Sequence, residues 1–390
     1  MMSGSQKYSA FVLILCVVLL SAAGLLMLAS TNAYATDGTA EGMGALKRQA
    51  VYFCVGLVFC AGFSFVDYRV WEKWLPGLMG LAVVLLALCY APGVGKNING
   101  ESRWIDLRLI GLSMVRLQPS ELGKFAALVF IAWWYSRHPL RVAEFWKGFV
   151  QPWLVLGSVV LLIAFERDLG TAALLVSVCL LVMFVVGVNI LYLGLVAVLG
   201  VGALSAAVYL IPERMGRMLA FMDLEASRYG EGLQQWRAHI ALGSGGLTGR
   251  GYGNGIEKMF YMPYAHTDFI LPMIGEEFGL VGTLSVILCF ICLVVSGMFI
   301  AASAPTPFGR ILGAGIVCLI GCQALVNMGV TTALLPNKGL PLPFISYGGS
   351  SLVVLLVMVG ILINIYRQGV AHDKPSTGLQ LGMPVITPRL

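Results

Sequence analysis

Residues 168–211 read DLGTAALLVSVCLLVMFVVGVNILYLGLVAVLGVGALSAAVYLI, with a single charge, Asp168, at their start. The rest is two apolar runs, 168–187 and 190–211, parted only by Val188-Asn189. Each is about the ~20 residues that a membrane-crossing helix needs. Neither alternates apolar with polar, which argues against a β-barrel. Similar runs recur at 9–29, 49–66, 74–91, 118–135, 150–165, 268–302, 309–335 and 345–366. With 58% hydrophobic and 11% charged residues and a mean hydropathy of +0.87, a soluble globule with a polar surface is excluded. The sequence thus predicts an all-α polytopic membrane protein, a single membrane domain over residues 1–390, with about ten transmembrane helices. A large loop, 212–267, separates helices seven and eight, and a tail follows residue 366. The fifth run is short, and the eighth and ninth are long enough to require tilt, kinks or interfacial extensions.

Ala33-Tyr34-Ala35 resembles a signal-cleavage site, but the apolar run before it exceeds a signal core and many spans follow, so it reads as an uncleaved first helix. All nine cysteines fall in apolar runs without histidine partners, as small packing residues do, and indicate neither a disulfide framework nor a zinc site. Ten spans put both termini on one side, which carries ten Lys/Arg and four Asp/Glu; the opposite side carries fifteen of each. The basic-residue count and the net charge point in opposite directions, so charge alone leaves the orientation open. Many cations balanced by acids on the second side suit a site that handles an anion.

That second side also holds the substantial loops. Residues 92–117 include Lys96, Arg103, Arg108 and Arg116. Residues 213–242 mix charges with Met, Leu, Phe and Trp, as interfacial helices do. GSGGLTGRGYGNG (243–255) has seven glycines but no strand–turn–helix setting for a nucleotide, and reads as a flexible or re-entrant loop.

Ionisable residues at membrane depth are candidates for function. Glu121 and Lys124, three apart in QPSELGK, share a helix face; they form a structural ion pair or line a polar cavity. Asp168 in FERDLGT is a helix N-cap, alone or with a site role, and Arg167 beside it can neutralise it or reach an anion. PNKGLPLPFISYGGSS (336–351), with three prolines and three glycines, is irregular backbone that offers Lys338, Ser346, Tyr347, Ser350 and Ser351 as donors. It is a loop-to-helix cap or a seat for phosphate oxygens. In AHTDFILPMIGEEFG (265–279), Thr267 or Asp268 can cap the eighth span, with Pro272 in its first turn. Glu276 and Glu277 lie deeper and on other faces, and read as internal pairing residues.

GESRWIDL with QPSELGK, the DLGT segment, LGSGGLTGRGYGNG, YMPYAHTDFILPMIGEEFGLVG and LLPNKGLPLPFISYGGSSL, in this order, closely resemble the SEDS family of FtsW, RodA and SpoVE proteins. The match covers roughly 10–370, and Lys338 in the PNKG stretch gives it an FtsW-like or SpoVE-like character. The resemblance implies ten helices in the bacterial cytoplasmic (inner) membrane, cytoplasmic termini and an extracytoplasmic 212–267 loop. It implies a peptidoglycan glycosyltransferase of division or elongation that polymerises lipid II and releases undecaprenyl pyrophosphate. Asp268 corresponds to the family's presumed catalytic residue. Arg103, Lys338 and Lys258 are candidates for the pyrophosphate charge, with His266, Asp168, Glu121, Lys124, Ser346 and Ser350 completing the substrate-binding set. No cofactor is required by the motifs, though a divalent cation (Mg2+ or Mn2+) at the pyrophosphate is compatible with them. The implied partners are a class B penicillin-binding protein acting as transpeptidase, division or elongation complex proteins, lipid II and membrane lipids, with no nucleic acid. Two positions depart from the family's usual pattern: Glu166-Arg167 stands where Gln-Pro is common, and Tyr264 where Glu often precedes the AHTD motif. A lipid II flippase and a non-catalytic scaffold are the alternative readings.

Overall fold

The computed structural model describes residues 2–32, 41–91, 95–98, 101–106, 116–260 and 267–373. The first three helices are α1 (Met2–Asn32), α2 (Glu41–Phe65) and α3 (Val70–Leu88). Then, where only a loop was expected, come three short strands, β1 (Gly95–Ile98), β2 (Glu101–Asp106) and β3 (Arg116–Leu117), in one antiparallel sheet of that order. The expected all-helical polytopic architecture stands, and this small sheet is an addition to it, whose backbone pairing satisfies N–H and C=O groups in a polar loop. The bundle continues with α4 (Pro119–Arg137), α5 (Gln151–Phe165), α6 (Leu169–Val186) and α7 (Ile190–Leu210). The large loop holds α8 (Pro212–Met222), α9 (Leu233–Ser244) and the single turn α10 (Glu257–Phe260). Three long helices, α11 (Ile270–Ala302), α12 (Pro307–Thr331) and α13 (Gly349–Asp373), close the described chain.

Among the described residues, nine helices are long and apolar enough to cross a membrane. The expected span at 118–135 is the exception in composition, because α4 carries Ser120, Glu121 and Lys124 near its start. Its surroundings explain the tolerance. Gly123 through Ala132 are buried on every side, so α4 meets protein where other helices meet lipid. It packs against α3, α6 and α12; α2 lies along α13, and α1 along α11. By contrast, Leu193 is the one buried residue of α7, which therefore turns nearly its whole apolar surface outward.

In the stretch expected to hold interfacial helices, α8 buries only Ala220, whereas α9 packs on α11 and α12. The difference lies in Gln235, Ala238 and Ala241, which put one small buried face on α9. From that face the Gln235 Nε2 donates to the carbonyls of Val330 (2.9 Å) and Leu335 (2.8 Å), pinning the end of α12.

The long eighth span is kinked, as its length demanded. Gly279 has φ 66° and ψ −161°, in a region open essentially to glycine, and the helical ladder stops there. The carbonyls of Glu276 and Glu277 accept instead from the N–H groups of Arg250 and Gly251, both at 3.0 Å. Leu280 and Val281 donate to the carbonyls of Gly246 (2.9 Å) and Leu247 (3.2 Å). The glycine-rich stretch is thus docked into the helix break, not loose. The two glutamate side chains reinforce it: Glu276 accepts from Ile256 N (2.8 Å), and Glu277 from Gly253 N (2.9 Å) and the Ser30 hydroxyl (2.7 Å).

Candidate active site

The end of the bundle that carries the starts of α6 and α11 and the end of α12 gathers the candidate chemistry. Asp168 is the N-cap of α6: its carboxylate accepts from the Thr171 N–H (3.0 Å) and the Thr171 hydroxyl (2.8 Å). It also faces the Arg103 Nε at 3.7 Å, so the cap carboxylate is also a member of an ion pair. The preceding residue, Arg167, has φ 64°, a left-handed conformation costly for a residue with a Cβ. This turns its carbonyl toward two guanidinium groups, accepting from Arg103 Nη2 (3.3 Å) and Arg214 Nη2 (3.1 Å).

Around these residues opens a small cleft of about 70 Å³. Arg103, Arg167, Arg214, Arg217 and Lys338 line it, against one carboxylate, Asp168. Lys338 is half-buried with its stem beside Gly170, and burial, then the nearby Arg214, lowers its ammonium pKa, with Asp168 opposing. Arg217 also approaches Glu231 at 3.5 Å on the exposed rim. Among the described residues lining the cleft, five cations stand against one carboxylate, a balance that favours an anion. Asp168, the carboxylate on this cleft, accepts from Thr171 and faces Arg103, and among the described residues no group of three or more His, Cys, Asp or Glu is gathered.

Asp268 lies in a turn just before α11, half-buried. The N-cap position of α11 is Phe269, whose own side chain makes no cap bond, and Asp268 stands one residue before it. Its Oδ2 rests against Gly339, where an added Cβ would sit 2.9 Å away. Gly339 lines the cleft beside Lys338, so the acid stands at the edge of the cationic seat.

The remaining candidates are placed elsewhere. Lys124 pairs with Glu121 (Nζ–Oε2 2.9 Å) deep inside the bundle, and also donates to Gln323 Oε1 (3.0 Å). That is the structural ion pair, not a cavity lining. Lys258 is bound to Glu277 and Ser30 with no exposed side-chain surface, so it secures the glycine-rich loop and cannot meet a phosphate in this conformation. The Ser346 hydroxyl accepts from Leu342 N (2.9 Å), four residues away, and the Ser350 hydroxyl from Gln118 N (3.2 Å), across the fold. His266 and Tyr264 lie outside the described residues.

The structure adds four residues that the sequence reading passed over. Arg214 and Arg217 are three apart on α8 and therefore share a face, a spacing visible in the sequence. Gln323 and Asn327, four apart on α12, are buried amides whose partners are distant in sequence. The other departure, Glu166, is buried; burial pushes its pKa up to about 8, with the Cys89 thiol opposing.

Residues 10–370 match the model of the FtsW/RodA/SpoVE family, described as cell cycle proteins. The chain is 40% identical over 362 residues to a probable peptidoglycan glycosyltransferase FtsW of Geobacter metallireducens, covering 92% of this chain and 95% of that one. It is 34% identical to the stage V sporulation protein E of Bacillus subtilis, over 91% of this chain and 96% of that one. Among solved structures it resembles a chain from a study of the coordination of polymerization and crosslinking by a peptidoglycan synthase complex (TM-score 0.75, 28% identity, 91% and 97% of the two chains). It also resembles the rod shape determining protein RodA of Thermus thermophilus (TM-score 0.65, 27% identity, 91% and 96%).

Proposed function

The chain belongs to the FtsW/RodA/SpoVE family, and from that premise we propose how it works as a peptidoglycan glycosyltransferase: Asp268 is the general base, and the cationic cleft holds the diphosphate of lipid-linked donor. The observation that carries this reading is the packing of the Asp268 carboxylate against Gly339, beside Lys338 and the cleft's cations. The substrate is lipid II. The 4-hydroxyl of the acceptor's GlcNAc attacks C1 of the donor's MurNAc, forming the new C–O bond with inversion. The bond from C1 to the diphosphate oxygen breaks, and the hydroxyl proton passes to Asp268. Undecaprenyl pyrophosphate leaves with its charge met by Lys338, Arg103 and Arg214, donors already fixed in place before the reaction. Asp168 and the Arg167 carbonyl hold two of those guanidinium groups in position.

In this reading α4 is the tenth span, despite its polar start. The helix ends that bear Asp168 and Asp268 then face the extracytoplasmic side, with both termini in the cytoplasm of a bacterial inner membrane. The likeness to a chain of a peptidoglycan synthase complex supports a class B penicillin-binding protein as partner. Purified chain with that partner and lipid II tests the proposal. Glycan strands are expected from the wild type and none from Asp268→Asn. Full polymerisation by Asp268→Asn, or lipid II crossing liposomes without polymerising, would overturn it.

A further inference from the structure

The proposed chemistry requires the Asp268 carboxylate and the segment bearing Lys338 to keep a fixed separation. Neither is carried on a helix: Asp268 is in a turn, and residues 336–341 are irregular backbone. Both are gripped by one buried side chain, Asn327 of α12. Its Nδ2 donates to the Asp268 carbonyl at 2.8 Å and to the Leu340 carbonyl at 2.8 Å. Two carbonyl acceptors can be met only by the amide NH2, so the orientation of the amide is fixed by its partners. Its Oδ1 is buried and has no hydrogen-bond partner, a cost accepted while both donors face the junction. One turn earlier, Gln323 Nε2 donates to the next carbonyl, Pro341 O, at 2.9 Å. The other end of that amide accepts from Lys124, which Glu121 holds. Two amides spaced four residues apart therefore secure successive carbonyls of the irregular segment, and one of them also holds the acid.

We infer that Asn327 is a positioning residue of the transferase reaction: it ties the backbone of the general base to the segment that carries the leaving-group cation. This rests on the reading of Asp268 as base. Asn327 does not touch the reacting atoms, and Gln323, oriented by the Glu121–Lys124 pair, secures the adjacent carbonyl of the same segment. Leucine at 327 fills a similar volume but frees both carbonyls, so the acid and the cation lose their common anchor.

The test uses the full chain co-purified with its transpeptidase partner, titrated with lipid II, and a melting temperature for every variant. Asn327→Leu is expected to lower kcat by up to about 10²-fold, the cost of misplacing a reacting group by ~1 Å, with KM for lipid II nearly unchanged. Asn327→Asp supplies a donor only while its carboxyl is protonated. Its rate relative to wild type should therefore fall as pH rises, which a loss of packing alone does not produce. Wild-type kcat in Asn327→Leu, or a fall in melting temperature with unchanged kcat in the folded fraction, overturns the inference. Should Asn327→Leu fail to fold, Asn327→Asp decides: a pH-dependent ratio supports the role, and a flat ratio refutes it. Asp268→Asn separates the two levels of the argument. Its full activity removes the base reading, whereas its inactivity beside a fully active Asn327→Leu removes this inference alone.

Discussion

A methyl group at residue 339 is the sharpest probe of the proposed geometry. The Cβ of Gly339→Ala would lie 2.9 Å from Oδ2 of Asp268, whereas ordinary contact begins at 3.4 Å. The carboxylate or the 336–341 segment must give by about half an ångström. Reacting atoms in a productive complex stand about 3–3.5 Å apart, and a shift of ~1 Å costs about 10²-fold, so half of that should cost roughly tenfold. That equals ~1.4 kcal/mol of lost transition-state stabilisation. The assay is lipid II titration with glycan product quantified by gel, giving kcat and KM separately, and a melting curve to verify folding. The loss should appear chiefly in kcat, because the methyl is directed at the acid. Gly170→Ala is the comparison. Its Cβ would meet neighbours at 3.6–3.7 Å, including the Lys338 stem, which is ordinary contact, and its rate should stay within about twofold of wild type. A Gly339→Ala protein with wild-type kcat would refute the argument that the Asp268 carboxylate must occupy that position.

Three other expectations follow from the site and its supports. Arg214→Gln should weaken inhibition by undecaprenyl pyrophosphate by roughly tenfold, as for loss of a charged hydrogen bond, and a competition assay reads this directly. Lys258→Met should leave KM for lipid II unchanged in the folded fraction but lower stability by about 3–5 kcal/mol, since it strands Glu277 in the interior; adding Glu277→Leu should restore part of the melting temperature. For Glu166, the folded-state pKa of about 8 lies above its ordinary 4.5, so between these values the folded protein keeps a proton that the unfolded chain releases. Its contribution to stability is present at low pH and is lost as pH climbs through that window. Wild type should therefore lose melting temperature between pH 4.5 and about pH 8, relative to Glu166→Gln.

How far the sequence could be read depended on whether a residue's partner was near in the chain. The apolar runs were legible because lipid acts on each helix separately, and a span of ~20 apolar residues states its own requirement. The Asp168 cap and the Glu121–Lys124 pair were legible too, since their partners lie three residues away. Residues paired across the fold were not. Nothing local shows that Glu277 holds Lys258, or that the Ser350 hydroxyl accepts from Gln118 N, 232 residues away. Asn327 is an unremarked amide in an apolar helix, yet its partners are 59 and 13 residues away. The β1–β2–β3 sheet escaped for a different reason: strands of two to six residues in a charged loop carry too little alternation to register.

The break at Gly279 has a consequence for the order in which the protein assembles. A helix normally propagates by local hydrogen bonds alone, each turn templating the next. In α11 that propagation halts, and the joint is completed by backbone about thirty residues upstream, a closure with its own entropic cost. The half that leads to Asp268 therefore acquires its final direction only after residues 246–251 have docked. Amide exchange at Leu280 and Val281 should accordingly report the docking of that loop, not the fraying of the helix that contains them. In folding terms, the acid at the mouth of the site belongs to a late-closing clasp.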